Sequence, residues 1–169
     1  MIYSVTQHKD VPVKVEKKIY YYDYATDEKV IRYTVYDKRK IVDVGYVDLL
    51  DTKNGVKVLY IINQQPDNYR HFGQVADQIE VEHCLKRGIE KPYIQSVAAI
   101  GTHIKHFLRG KRFTNEIMNL YFDTLTKNLA KGEHVTTGGL GYQKMYMPMN
   151  LVNEIKDKIK VERLLKGLR

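Results

Sequence analysis

The chain has 169 residues, 43% of them apolar and 28% charged, with 28 lysines and arginines against 20 acids for a formal charge of +8. That is one domain's length with an ordinary globular composition, so a hydrophobic core is expected within residues 1–169. No apolar run nears the roughly 18 residues that span a bilayer. The segment Met1-Ile2-Tyr3-Ser4 does not open a secretory signal, and the single cysteine, Cys84, excludes an internal disulfide or a cysteine-based zinc site.

These features fit a reducing, cytoplasmic setting. The basic charge suits an anionic partner: a nucleotide-like cofactor, a nucleic acid or an acidic membrane surface.

In chain order, residues 11–15 alternate apolar and polar, and residues 19–24 are rich in aromatic strand formers. Residues 30–36, 41–50 and 56–63 predict three more strands, with breaks at 37–40 and 51–55. Asn54-Gly55 between two apolar runs signals a hairpin. The pattern is an antiparallel meander, with Val42, Val44 and Tyr46 expected to pack across from Val56, Val58 and Tyr60. After Pro66, the stripe Val75, Ala76, Ile79, His83 predicts a helix that Gly88 ends, behind the basic pair Lys86-Arg87. Residues 92–99 read as a buried strand. Strand, helix and strand in that order imply a right-handed parallel crossover.

Residues 102–108 predict a short helix closed by Arg109-Gly110-Lys111. A longer helix opens after Thr114 as N-cap, with Ile117, Leu120, Tyr121, Leu125 and Leu129 on its packed side. Gly138-Gly139-Leu140-Gly141 precedes a strand at 142–147. Residues 151–168 form a basic amphipathic helix that packs on its own domain by default, a homodimer being the alternative use of that face. The fold class is therefore α/β (α+β): a mixed central sheet, an N-terminal meander, a β-α-β crossover, an extra helix and a C-terminal helix.

The stretch with most chemical content is 58–76, where a strand runs through a short loop into a helix that opens at Gly73. Free amides and the positive dipole end of a helix start attract anions, and glycine lets the backbone come close to them. Arg70 stands beside it. Here the chain resembles the GNAT acetyltransferase superfamily. The resemblance covers about residues 30–113: strands 30–36, 41–50 and 56–63, the loop Arg70-x-x-Gly73, a helix over 75–88, a strand over 93–99, then Gly110-Lys111-Arg112-Phe113.

The resemblance implies an N-acyltransferase that moves an acetyl group from acetyl-CoA, as co-substrate, to an amine of an unidentified acceptor. It also implies a central strand splayed from its parallel neighbour. Ile61, Ile62 and Asn63 would then pair by backbone with the pantetheine arm, while Arg70, His71, Phe72, Gly73, Gln74 and Val75 wrap the pyrophosphate. Catalysis would hold the thioester, deprotonate the amine and stabilise the tetrahedral intermediate. Two departures stand out. Val75 occupies a position where the family carries Gly or Ala, and the connection at 23–29 has no room for the two helices usual between the first two strands.

For the general acid, alignment on Phe113 brings Phe107 or Leu108 to the family's tyrosine position, and Tyr121 on the next helix is the candidate that can donate. For the base, His103 and His106 lie three apart on one helix face, with His83 a further candidate. Cys84 reads as core packing. The cluster Arg109-Gly110-Lys111-Arg112, preceded by Lys105, reads either as a contact for the 3′-phosphate of coenzyme A or RNA, or as a solvated loop. Two alternatives stay open: a GNAT-like module without catalysis, and a nucleic-acid-binding domain using the basic surface.

Overall fold

The computed structural model describes residues 1–89, 93–97, 100–134 and 142–167. Strands β1 (Ile2–Ser4) and β2 (Lys9–Val11) precede a meander of β3 (Val13–Asp23), β4 (Glu28–Asp37), β5 (Val42–Thr52) and β6 (Gly55–Asn63). Strand β7 (Tyr69–Arg70) leads into α1 (Phe72–Arg87), followed by β8 (Tyr93–Val97) and α2 (Ile100–Leu108). Then come β9 (Arg112–Phe113), α3 (Glu116–Ala130), β10 (Tyr142–Tyr146) and α4 (Met149–Gly167). The architecture is mixed α+β: a seven-stranded sheet in the order β3-β4-β5-β6-β8-β10-β9, and a small sheet in the order β2-β1-β7. Among the described pairings every neighbour is antiparallel except β6 and β8, the expected parallel crossover.

The meander's facing pattern differs from the expectation. Val44 and Leu59 are extra residues in their strands, so the register slips where β4 meets β5 and again where β5 meets β6. Each bulge reverses which face later residues occupy. Val47 and Leu49 face α1, with Ile61 and Val58 opposite them, whereas Tyr46 and Asp48 face away, opposite Ile62 and Tyr60. The expected Val42/Tyr46 and Val58/Tyr60 face is therefore split. The two strands expected at 11–15 and 19–24 are instead the end of β2 and one continuous β3. In the β5–β6 hairpin Thr52 pairs with Gly55, so the loop is Lys53-Asn54, and positive φ falls on Gly55 at 151°.

Helix α1 buries Val75, Ala76, Ile79, His83 and Cys84 against the sheet and closes on Gly88 at φ 73°, as its stripe and C-terminal glycine predict. Cys84 is a core residue, and burial pushes its thiol up to about 12. A second cluster joins Val81 of α1 to Met147, Leu151, Val152, Ile155 and Ile159, so α4 lies on its own chain.

Helix α3 is capped by Asn115, which accepts from the Ile117 amide, one residue later than the Thr114 expected. Its buried face is Asn119, Phe122 and Leu125. Ile117 and Leu120, expected inside, are 74% and 68% exposed. Phe122 decides the helix's rotation by packing with centroids 4.7 Å from Phe113 and 5.7 Å from Phe107. The expected glycine run 138–141, together with Pro92, Ala98, Ala99 and Leu168, lies outside the described residues. Among the described residues no helix is long and apolar enough to cross a membrane.

Candidate functional site

Strands β6 and β8 pair at two positions, Lys57 with Tyr93 and Val58 with Ile94. Beyond Val58, β6 continues to Asn63 on the β5 side, and β8 continues to Val97 on the β10 side. Among the described residues the two parallel strands therefore separate, leaving the backbone of 59–63 without a strand partner on the β8 side. Backbone groups left this way need a partner.

Helix α1 begins at the open end. Its first residue, Phe72, lies against Gly45, and Gly45 is the cross-strand partner of Asn63. His71 precedes it in the left-handed conformation, φ 65°, a conformation that costs a non-glycine residue about 1 kcal/mol. No side chain caps the helix and no acid stands in its first turn. Its positive end is thus unneutralised from within.

The small sheet fixes the loop that delivers it. Strand β1 pairs Tyr3 with Arg70 and Ser4 with Tyr69, and the Tyr3 and His71 rings lie 5.7 Å apart. The Tyr69 hydroxyl donates to buried Asp37 at 2.7 Å, while Asn63 Nδ2 donates to the Tyr69 carbonyl at 2.9 Å. Arg70, His71 and Gln74 remain exposed around the helix start, whereas Phe72 and Val75 are buried.

The basic segment after α2 is largely internal, unlike the solvated loop expected as one reading. Lys111 is 0% exposed and pairs with Asp77 at 3.0 Å and Glu80 at 3.2 Å, both on α1. Arg109 donates through Nε to Asp77 at 2.8 Å and through Nη2 to His106 Nδ1 at 2.9 Å. Its guanidinium lies on Gly73: a Cβ there would meet Arg109 Nη1 at 2.5 Å. Arg112 lies over the Phe107 ring and donates to the carbonyls of Phe107 and Lys111.

Burial pushes the Asp77 carboxyl up, but Lys111 and Arg109 outweigh it and hold the group below the usual range. Burial wins at Glu80, whose carboxyl is raised. Asp77 and Glu80 were not anticipated. Their signal was two acids three apart interrupting an apolar helix stripe, ahead of an equally dense basic cluster.

The three histidine candidates are all buried. His103 has both ring nitrogens unpartnered among the described residues, between Phe113 and Phe122. His106 Nδ1 accepts a hydrogen bond from Arg109 and so carries no proton, and burial with Lys111 and Arg109 nearby pushes its pKa down to about 2. His83 accepts from the Tyr33 hydroxyl at 2.7 Å and, because carboxylates only accept, donates Nε2–H to Asp51 at 2.9 Å. Tyr121 differs: its side chain is 40% exposed. The opened strand, Arg70 to Val75 and Arg109 therefore come together at one end of the sheet, whereas His103 and His106 turn into the packed interior.

No family model matches this chain, and no curated protein does. Among solved structures, it is similar to the spermidine N-acetyltransferase SpeG K23-Q34 chimera from Vibrio cholerae and hSSAT, with a TM-score of 0.48 and 12% identity over 74% of this chain and 69% of that one.

Proposed function

We propose that this chain is a GNAT-like N-acyltransferase that takes the acetyl group of acetyl-CoA and places it on an amine, with residues 1–169 acting as one domain in the cytoplasm. One observation carries the reading: a pair of parallel strands that separates after two residue pairs, with an uncapped helix start at the open end. A pantetheine arm carries amides that can take the place of a missing strand, so Ile61, Ile62 and Asn63 supply its backbone partners. The pyrophosphate lies at the start of α1, on the amides of His71 to Val75, with exposed Arg70 as the flanking cation.

In the reaction, the amine nitrogen attacks the thioester carbonyl, the C–N bond forms and the C–S bond breaks. The amine proton leaves with the coenzyme A sulfur. Rate enhancement comes from holding the two reactants in line and from backbone amides facing the developing oxyanion. Tyr121 is the candidate to protonate the thiolate, since its side chain is accessible. His103 and His106 serve the reading better as packing groups than as bases, because a neutral buried imidazole resists protonation.

The same burial favours a second reading: a GNAT-like module that binds the cofactor without catalysis. Titration with acetyl-CoA followed by calorimetry and thermal unfolding tests both. At a hundredfold excess over Kd the melting temperature is expected to rise by about 5–10 °C. No heat and no shift at millimolar acetyl-CoA would sink both readings. Binding without thioester consumption, with any amine supplied, leaves the non-catalytic module.

A further inference from the structure

We infer that the amine receiving the acetyl group belongs to a polypeptide, which docks on the bare face of the large sheet opposite α1; this rests on the acyltransferase reading above. Helix α1 lies on the face of the meander where Val47 and Leu49 point, and α4 packs on α1. A thioester threaded between β6 and β8 from the α1 end therefore meets its acceptor from the other side.

Among the described residues that other side is uncovered. The connection from β3 to β4 is the short turn 24–27, with no helix in it. Across the exposed face stand Tyr20, Arg32, Tyr46, Asp48, Tyr60 and Ile62, with Tyr20 and Tyr60 60% and 59% exposed. Tyr60 and Ile62 belong to the opened part of β6, so the patch runs without a break into the candidate site.

The face presents a row of tyrosines around an arginine, the side chains enriched in protein–protein contacts. Arg32 is stacked 4.5 Å from the Tyr20 ring centroid and 3.9 Å from that of Tyr46. It also donates to Asp48 at 2.8 and 2.9 Å, which neutralises the charge a phosphate backbone would seek. A polypeptide fits these observations better than a nucleic acid.

The test compares coenzyme A release with synthetic peptides of varied sequence, each bearing one free amine, against free lysine and 1,4-diaminobutane. Acetyl-CoA binding is measured in parallel. The peptides are expected to be turned over more efficiently, and the Tyr20→Thr/Tyr60→Thr double variant to raise the peptide KM about tenfold, the scale of a lost aromatic anchor. Its acetyl-CoA affinity and melting temperature should stay at the wild-type values. Faster turnover of the small amines, or an unchanged peptide KM in the variant, would overturn the polypeptide. So would cofactor binding with no peptide acetylated, or a single-stranded oligonucleotide whose binding is lost in the same variant. Absent cofactor binding would instead strike the acyltransferase reading itself.

Discussion

Arg109 rests on Gly73 so closely that a β-carbon on residue 73 would lie 2.5 Å from its Nη1. The guanidinium cannot easily swing aside, because Asp77 and His106 hold it. Gly73→Ala is expected to crowd the helix start where the pyrophosphate would approach the backbone and to weaken acetyl-CoA binding about tenfold. Stability should fall only modestly, since the helix gain of about 1 kcal/mol from alanine offsets part of the cost of shifting Arg109. Calorimetry and urea melts of the one variant separate the two effects.

The ion cluster beneath that contact should respond asymmetrically. Lys111→Met leaves two buried acids without their shared cation and is expected to cost about 3–5 kcal/mol. Glu80→Gln is expected to cost far less, because burial already raises this carboxyl and its Oε1 has no partner among the described residues. Urea unfolding of the two variants checks the difference.

Acid should weaken the fold earlier than its carboxylates alone would. Burial lowers His83, His103 and His106 from the ordinary 6.5. In the unfolded chain each takes a proton near 6.5, so the unfolded state gains protons first and stability falls as pH drops below that value. The loss approaches about 1.4 kcal/mol per pH unit for each imidazole that stays neutral. For His106 it continues toward pH 2, where its folded pKa lies. Glu80 acts in the opposite sense, adding stability below the ordinary carboxylate range that is lost as pH rises through its raised value. The urea midpoint is expected to be lower at about pH 5 than at about pH 7.5, with His106→Gln reducing the difference. Equal midpoints would mean the imidazoles titrate normally in the fold.

Asn119 of α3 takes the place of a neighbouring strand for β9. Its Oδ1 accepts from the Phe113 amide at 2.7 Å and its Nδ2 donates to the Phe113 carbonyl at 2.9 Å, both buried. Asn119→Ala should leave both backbone groups unsatisfied and cost about 2–4 kcal/mol, read as a lower melting temperature.

The period-2 and period-3.6 patterns were strong enough to show the meander, the crossover and α1 with its terminal glycine. What they could not show is where a strand gains a residue. The bulges at Val44 and Leu59 leave apolar composition unchanged while reversing faces, and so Tyr46 and Tyr60 sit outside. Helix α3 failed for a related reason. Two apolar stripes were available, and the aromatic pocket of Phe107 and Phe113, distant in sequence, selected Phe122 over Ile117 and Leu120.

The turn from Arg70 into α1 was legible because glycine and a helix start are local signals. The burial of Lys111 was not, since it depends on Asp77 and Glu80 lying across from it after folding. The histidine pair shows the same limit. Spacing puts His103 and His106 on one side of a helix, but whether that side meets solvent is decided by Phe113, Phe122 and Arg109.

Cys84 offers a practical opening. With a single cysteine in the sequence, and that thiol buried and pushed up to about 12, the native chain is expected to react only slowly with maleimides at neutral pH. A cysteine placed at Tyr60 or Tyr20 would take a fluorophore or spin label cleanly, with no prior removal of native thiols. Distances between such labels on β3 and β6 could then report, in solution, what arrives on the open face and when.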